Sequence, residues 1–192
     1  MTRILLLLCL LAVPVAAHHA SDVLLRRVIV AEERDGTRVT IRLPLTLLFA
    51  QAAAGRAHTG TPVQAPLLIA EPEGAGWTYR IDATAPPMAL APLLAEALVV
   101  TADGAEARLQ TVTLGPVDGT PLADAHISAI VVEAIYRGAS GAVSVSFQVD
   151  DVAFPPSVHL ETEVDDRRTG ETAWSVGPLA EPIELPAPAA DR

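Results

Sequence analysis

The sequence predicts a mainly β fold, an antiparallel β-sandwich-like domain with one or two short helices. Three observations lead there. Runs of about six to ten residues alternate apolar and polar side chains with the period of two that a half-buried strand requires. Asp-Gly and Gly-rich turn signals fall between those runs. Only two apolar stretches repeat at helical spacing, and both follow a proline.

Strands are expected over Val23–Glu32 and Thr37–Leu43, joined at Asp35-Gly36, because both central positions of the tightest hairpin turns take positive φ. In the second strand Val39, Ile41 and Leu43 alternate with Thr40 and Arg42. Pro44 then opens LTLLFAQAAA, where Leu47, Leu48 and Ala52 fall at helical spacing and Gly55 ends the helix. Arg56 to Pro66 is turn-like, and Trp77 to Ile81 alternates as a further strand. After Pro86-Pro87, MALAPLLAEAL reads as a helix whose middle Pro92 disturbs. Leu98–Thr101 and Glu106–Leu114 form a strand pair around Asp103-Gly104.

The last third is plainly β. Ile127–Tyr136 is an almost continuous apolar run, the mark of a central strand covered on both sides. Ala142–Asp150 turns Val143, Val145, Phe147 and Val149 inward, and Val158–Val164 leaves His159, Glu161 and Glu163 outside. Asp165 to Gly170 is a turn, and Ala173–Val176 returns as a short strand. From Gly177 the prolines at 178, 182, 186 and 188 predict an extended tail that frays.

The organisation follows from the ends inward. Met1–Ala17 has a cationic Arg3, an apolar run from Ile4 to Val13, the breaker Pro14 and small residues at 15 to 17, which is the layout of a secretory signal peptide cut after Ala17. The expected division is a signal peptide over 1–17, a β-rich exported domain over 18–176 and a Pro-rich tail over 177–192. The single cysteine, Cys9, lies in the leader, so disulfides and thiolate metal sites are excluded from the remainder. Removing 17 of 192 residues leaves 175, enough to bury a sizeable core without staples. All 13 basic residues are arginine, and the alanine and proline usage fits a GC-rich bacterial genome and hence a periplasmic or secreted protein. The net charge of −10 argues against nucleic acid as a partner. Beyond the leader no apolar run reaches membrane-spanning length.

Chemistry-bearing residues are sparse. Cleavage after Ala17 would place His18 at the N-terminus, where its α-amine and ring nitrogen chelate as one unit and a second imidazole completes a nitrogen-rich site suited to Cu(II). His18, His19 and His126 are the candidate metal ligands, with His58 and His159 as further sources of the third donor; none stands at HxH or HxxxH spacing. Ser140, in Gly-Ala-Ser-Gly, lacks the strand-turn-helix setting of a nucleophile elbow and reads as a turn residue. The acidic pairs Glu32-Glu33, Asp150-Asp151 and Asp165-Asp166 flank turns as solvated carboxylates, without calcium-loop spacing. Trp77, Tyr79, Tyr136 and Phe147 read as core. Trp174 is the one aromatic placed to serve as an exposed platform, although burial at the core or an edge is the default for it.

The stretch AHHASDVLL, followed by the Asp-Gly hairpin and LPLTLLFA, resembles the exported start of HupE/UreJ-type bacterial membrane proteins. The resemblance covers about the first 50 residues of the chain. It implies a periplasmic β-rich domain beginning at His18; the family's membrane helices are absent, so its transport role does not carry over, and a separately encoded membrane protein becomes a natural partner. The functional expectation is a periplasmic or secreted non-catalytic binding or accessory module that engages a protein partner and needs no cofactor. The alternative is a protein that binds or delivers copper or another transition metal through His18.

Overall fold

The computed structural model describes residues 25–54, 61–74, 76–117, 119–148, 160–177 and 182–189. The expected signal peptide, His18, His19, His58, Asp150-Asp151 and His159 lie outside those residues.

The first hairpin is β1 (Arg26–Glu33) and β2 (Gly36–Pro44), whose two-residue loop is Arg34 and Asp35, with Glu33 opposite Gly36. The turn therefore sits one residue earlier than the Asp-Gly rule places it. Gly36 is the strand's first residue and takes φ +127°, and a Cβ there would lie 2.2 Å from the carbonyl oxygen of Gly138. Its positive φ and the close approach of the β8 backbone, and not a place in the turn loop, together demand glycine at this position. Pro44 closes β2, and helix α1 (Leu45–Ala54) begins directly after it. Leu45, Leu47, Leu48 and Phe49 are all buried and Thr46 is half-buried.

A small hairpin of β3 (Leu68–Glu73) and β4 (Gly76–Ile81) stands as its own two-stranded sheet. A short 3₁₀ turn at Pro87–Leu90 leads into helix α2 (Ala91–Ala97). Pro92 falls in its first turn, where the missing N–H has no intrahelical acceptor to lose, so the proline starts the helix instead of breaking it. Strands β5 (Leu98–Ala102) and β6 (Ala105–Glu106) pair around Asp103 and Gly104, which adopt φ of 52° and 74° as the tight turn requires. The expected strand over 106–114 is broken at Ala107: β7 (Arg108–Pro116) leaves β5's sheet and pairs with β8 (Ile130–Gly138). The remaining strands are β9 (Val143–Phe147), β10 (Leu160–Asp166), β11 (Glu171–Gly177) and β12 (Ile183–Leu185).

Two main sheets result. The larger has the order β11-β10-β1-β2-β8-β7 and the smaller β12-β9-β5-β6. Every neighbouring pair is antiparallel except β1 with β10. Their facing side chains merge into one core. Val28, Val30, Val39, Ile41, Val132 and Ala134 come from the larger sheet, and Val100, Val143, Val145 and Phe147 from the smaller, each at most 3% exposed. The helices cover the sandwich through Leu47, Leu48 and Leu94. The fold is thus mainly β, with antiparallel sheets and short helices. Strand β8 is central but covered on one face only: Val131, Glu133 and Ile135 on its outer face are half-buried. The Pro-rich stretch is not wholly free chain either, since Ile183–Leu185 pair with β9 and pack against the core between Pro182 and Pro186.

Candidate functional site

The outer face of the larger sheet carries the organised polar chemistry. Because alternation sends Val28 and Ile41 inward, Arg27 and Arg42 must point outward, and the hairpin register sets them directly opposite each other. The same register extends across the sheet, giving one row: Trp174 on β11, Glu163 on β10, Arg27 on β1, Arg42 on β2, Glu133 on β8 and Thr113 on β7. Like charges directly opposite repel, and here each arginine has an acid on its far side. Arg27 Nη2 lies 3.0 Å from Glu163, and Arg42 Nε lies 3.6 Å from Glu133. Arg27 Nε is buried without a hydrogen-bond partner. Beside the row, Arg27, Arg42, Pro116 and Val131 line a shallow hollow of about 230 Å³.

A second charged belt crosses the other end of the strands. Glu33 pairs with Arg38 at 3.1 Å and also with Arg137, whose Nη1 is 3.9 Å from Asp35. Between the belts lie Ile29, Thr40 and Ile135, cross-strand neighbours with Ile29 and Ile135 only half-buried. The row ends at Trp174, which is 62% exposed on edge strand β11, more than any other large apolar side chain among the described residues. The expectation of burial fails for it. Trp77, also read as core, is 40% exposed, whereas Phe147 and Tyr136 are buried as expected.

The histidine chemistry does not assemble among the described residues. His126 is exposed just before a 3₁₀ turn at Ile127–Ala129, and its Nδ1 accepts from the backbone N–H of Ser128 at 3.3 Å while lying 2.7 Å from that residue's hydroxyl. That arrangement is a local cap, with one ring nitrogen committed to it. Among the described residues no three His, Cys, Asp or Glu side chains gather as metal ligands.

Two acidic pairs behave differently from the solvated turn residues expected. Glu32 accepts from Thr37 Oγ1 at 3.0 Å and from the Ser140 hydroxyl, so Ser140 is a turn residue that ties the β8–β9 loop to the first hairpin. Asp166 is 3% exposed and paired with Arg168, whose side chain is fully covered. The guanidinium donates to both carboxylate oxygens at 3.0 Å and also reaches the carbonyls of Gly141 and, at 3.1 Å, Pro186. Burial alone would raise the Asp166 pKa, but hydrogen bonds from the Arg168 side chain and backbone, together with its charge, hold it below the usual carboxylate range.

Among the described residues one buried charge stands without such a partner. Arg26, on the inner face of β1, is 4% exposed and lies 4.6 Å from the Phe147 ring centroid, and its Nε is unpartnered. Desolvation by burial pulls its pKa down to about 10, which still leaves it charged at neutral pH. Nothing in the local pattern RRVIV marks the first arginine as the inward one until β1's valines are known to fill the core. Among the described residues no helix is long and apolar enough to cross a membrane. Neither a protein-family model nor a curated protein matches the chain.

Proposed function

We propose that this chain is an exported, non-catalytic β-sandwich module that engages a protein partner through edge strand β11 and the adjoining outer face of its larger sheet. The observation that carries the reading is Trp174. An edge strand offers a row of unpaired backbone groups, and natural sheets blunt such edges with charge, proline or cover. Here β11 ends the sheet with an outward tryptophan 62% exposed, beside the Glu163–Arg27–Arg42 row. Tryptophan and arginine are the side chains most enriched where interface energy concentrates. A partner laid along β11 would cover the indole and meet the two arginines at the hollow with its own carboxylates. The resemblance of the first 50 residues to HupE/UreJ-type periplasmic domains favours a membrane protein as that partner, met in the periplasm.

The test uses the full chain expressed with its leader and a photoactivatable phenylalanine analogue at Thr172, which shares the outer face of β11 with Trp174. The expected result is one discrete crosslinked adduct in the cell envelope fraction, abolished by Trp174→Lys. No adduct, or one that survives Trp174→Lys and forms equally from Glu184 on the opposite sheet, overturns the reading.

A further inference from the structure

A cleft of about 400 Å³ opens at the corner where the chain leaves the smaller sheet at β6 and enters the larger one at β7. One wall is α2, which contributes only the small side chains Ala91 and Ala95. Leu98 and Val100 of β5 and Leu109 of β7 form apolar surfaces, and Tyr136 of β8 lies among them. Beside Leu109, β7 carries a register shift before Thr111. Bulges of this kind re-aim side chains next to sites. The volume is within the range of small-molecule pockets.

Tyr136 supplies the second observation. The residue is 6% exposed and its hydroxyl is buried without a hydrogen-bond partner among the described residues. Buried tyrosine hydroxyls ordinarily find one, because leaving the group unpaired forfeits its hydration. Desolvation pushes its pKa up to about 12, so at neutral pH it is a protonated donor. At the rim stand Glu106 and Arg108, and Arg108 forms no ion pair with a described residue.

We propose that this cleft binds a small, mostly apolar molecule bearing one anionic group, its body held between α2 and Leu109, an oxygen accepting from the Tyr136 hydroxyl, and its charge at Arg108. The site is independent of the β11 surface. Fluorescence titration of the purified chain with 1-anilinonaphthalene-8-sulfonate, and with its uncharged parent N-phenyl-1-naphthylamine, tests it. Saturable one-to-one binding of both probes is expected. Ala95→Trp fills the mouth from an exposed helix position and weakens both by at least about tenfold, and Ala91→Leu does so to a smaller degree. Arg108→Gln weakens the sulfonate by roughly three- to tenfold and leaves the neutral probe unchanged, whereas Glu106→Gln weakens neither. Thermal melts of each variant confirm that it is folded. Absence of saturable binding, or binding that Ala95→Trp leaves intact in a folded variant, overturns the proposal, and equal effects of Arg108→Gln on the two probes overturn its anionic part.

Discussion

At the scale of single residues the two buried arginines make opposite use of the same chemistry. Arg168 is enclosed among four hydrogen bonds, to Asp166, Gly141 and Pro186, and Asp166 neutralises it. Removing one partner of such a pair strands the other, so Asp166→Asn is expected to cost about 3–5 kcal/mol in urea unfolding at pH 7. The folded-state pKa of Asp166 lies below its unfolded value, so its contribution is present above the unfolded pKa near 3.9 and disappears as pH falls through the folded value. The wild type should therefore lose stability more steeply than Asp166→Asn on acidification below about pH 4, and parallel acid limbs would contradict the assignment. Among the described residues Arg26 meets no carboxylate, only the face of Phe147, which is worth about 0.5–2 kcal/mol. Met at this position keeps a long side chain and a sulfur–aromatic contact while deleting the charge. Arg26→Met is expected to raise the unfolding free energy by about 1–3 kcal/mol, and a net loss would mean that the guanidinium's surroundings repay its desolvation.

At the scale of elements, what local patterning specifies was legible and what pairing decides was not. The period of two marked β2, β4, β9 and β10, the Asp-Gly signals placed β1 and β5, and the Asp103-Gly104 turn falls where the dipeptide stands. Strand β3, LIAEPE, has no alternation and depends on its register with β4. The break at Ala107 is invisible because the alternation continues while the chain changes sheets; the Ala107 N–H still bonds to Val100 while Arg108 already faces Arg137. For the same reason the Arg27–Arg42 pair and Trp174's exposure could not be read from residue types alone: a side chain's face is local, but its neighbour across the strands is not. Turn placement offers a test. Gly36 and Gly104 both have positive φ, yet a Cβ at Gly104 meets nothing within 4 Å whereas at Gly36 it strikes the Gly138 carbonyl. Gly104→Ala should cost about 1 kcal/mol of strain, and Gly36→Ala at least about 2 kcal/mol more as β2 is forced from β8. Equal losses would assign glycine at 36 to backbone strain alone.

At the scale of the whole molecule, the question is whether the chain after Gly177 belongs to the sandwich. Strand β12 closes one edge of the smaller sheet by pairing with β9. Ile183 and Leu185 lie half-buried against the core, and Pro186 supplies a carbonyl to the Arg168 guanidinium, which also holds Gly141 before β9. The segment thus joins the two sheets through a buried cation, a role its proline content conceals. Ending the chain after Gly177 removes two half-buried aliphatic side chains, worth about 1 kcal/mol each. It also removes one hydrogen bond to a charged donor, worth about 1.5–3 kcal/mol. The truncated protein is expected to lose on the order of 4 kcal/mol in denaturant melts and to self-associate, because β9 becomes an open edge carrying alternating Val143, Val145 and Phe147. A truncated chain that melts with the intact one and stays monomeric in sedimentation would instead make residues 178–192 dispensable and leave β9 as an edge the fold tolerates by itself.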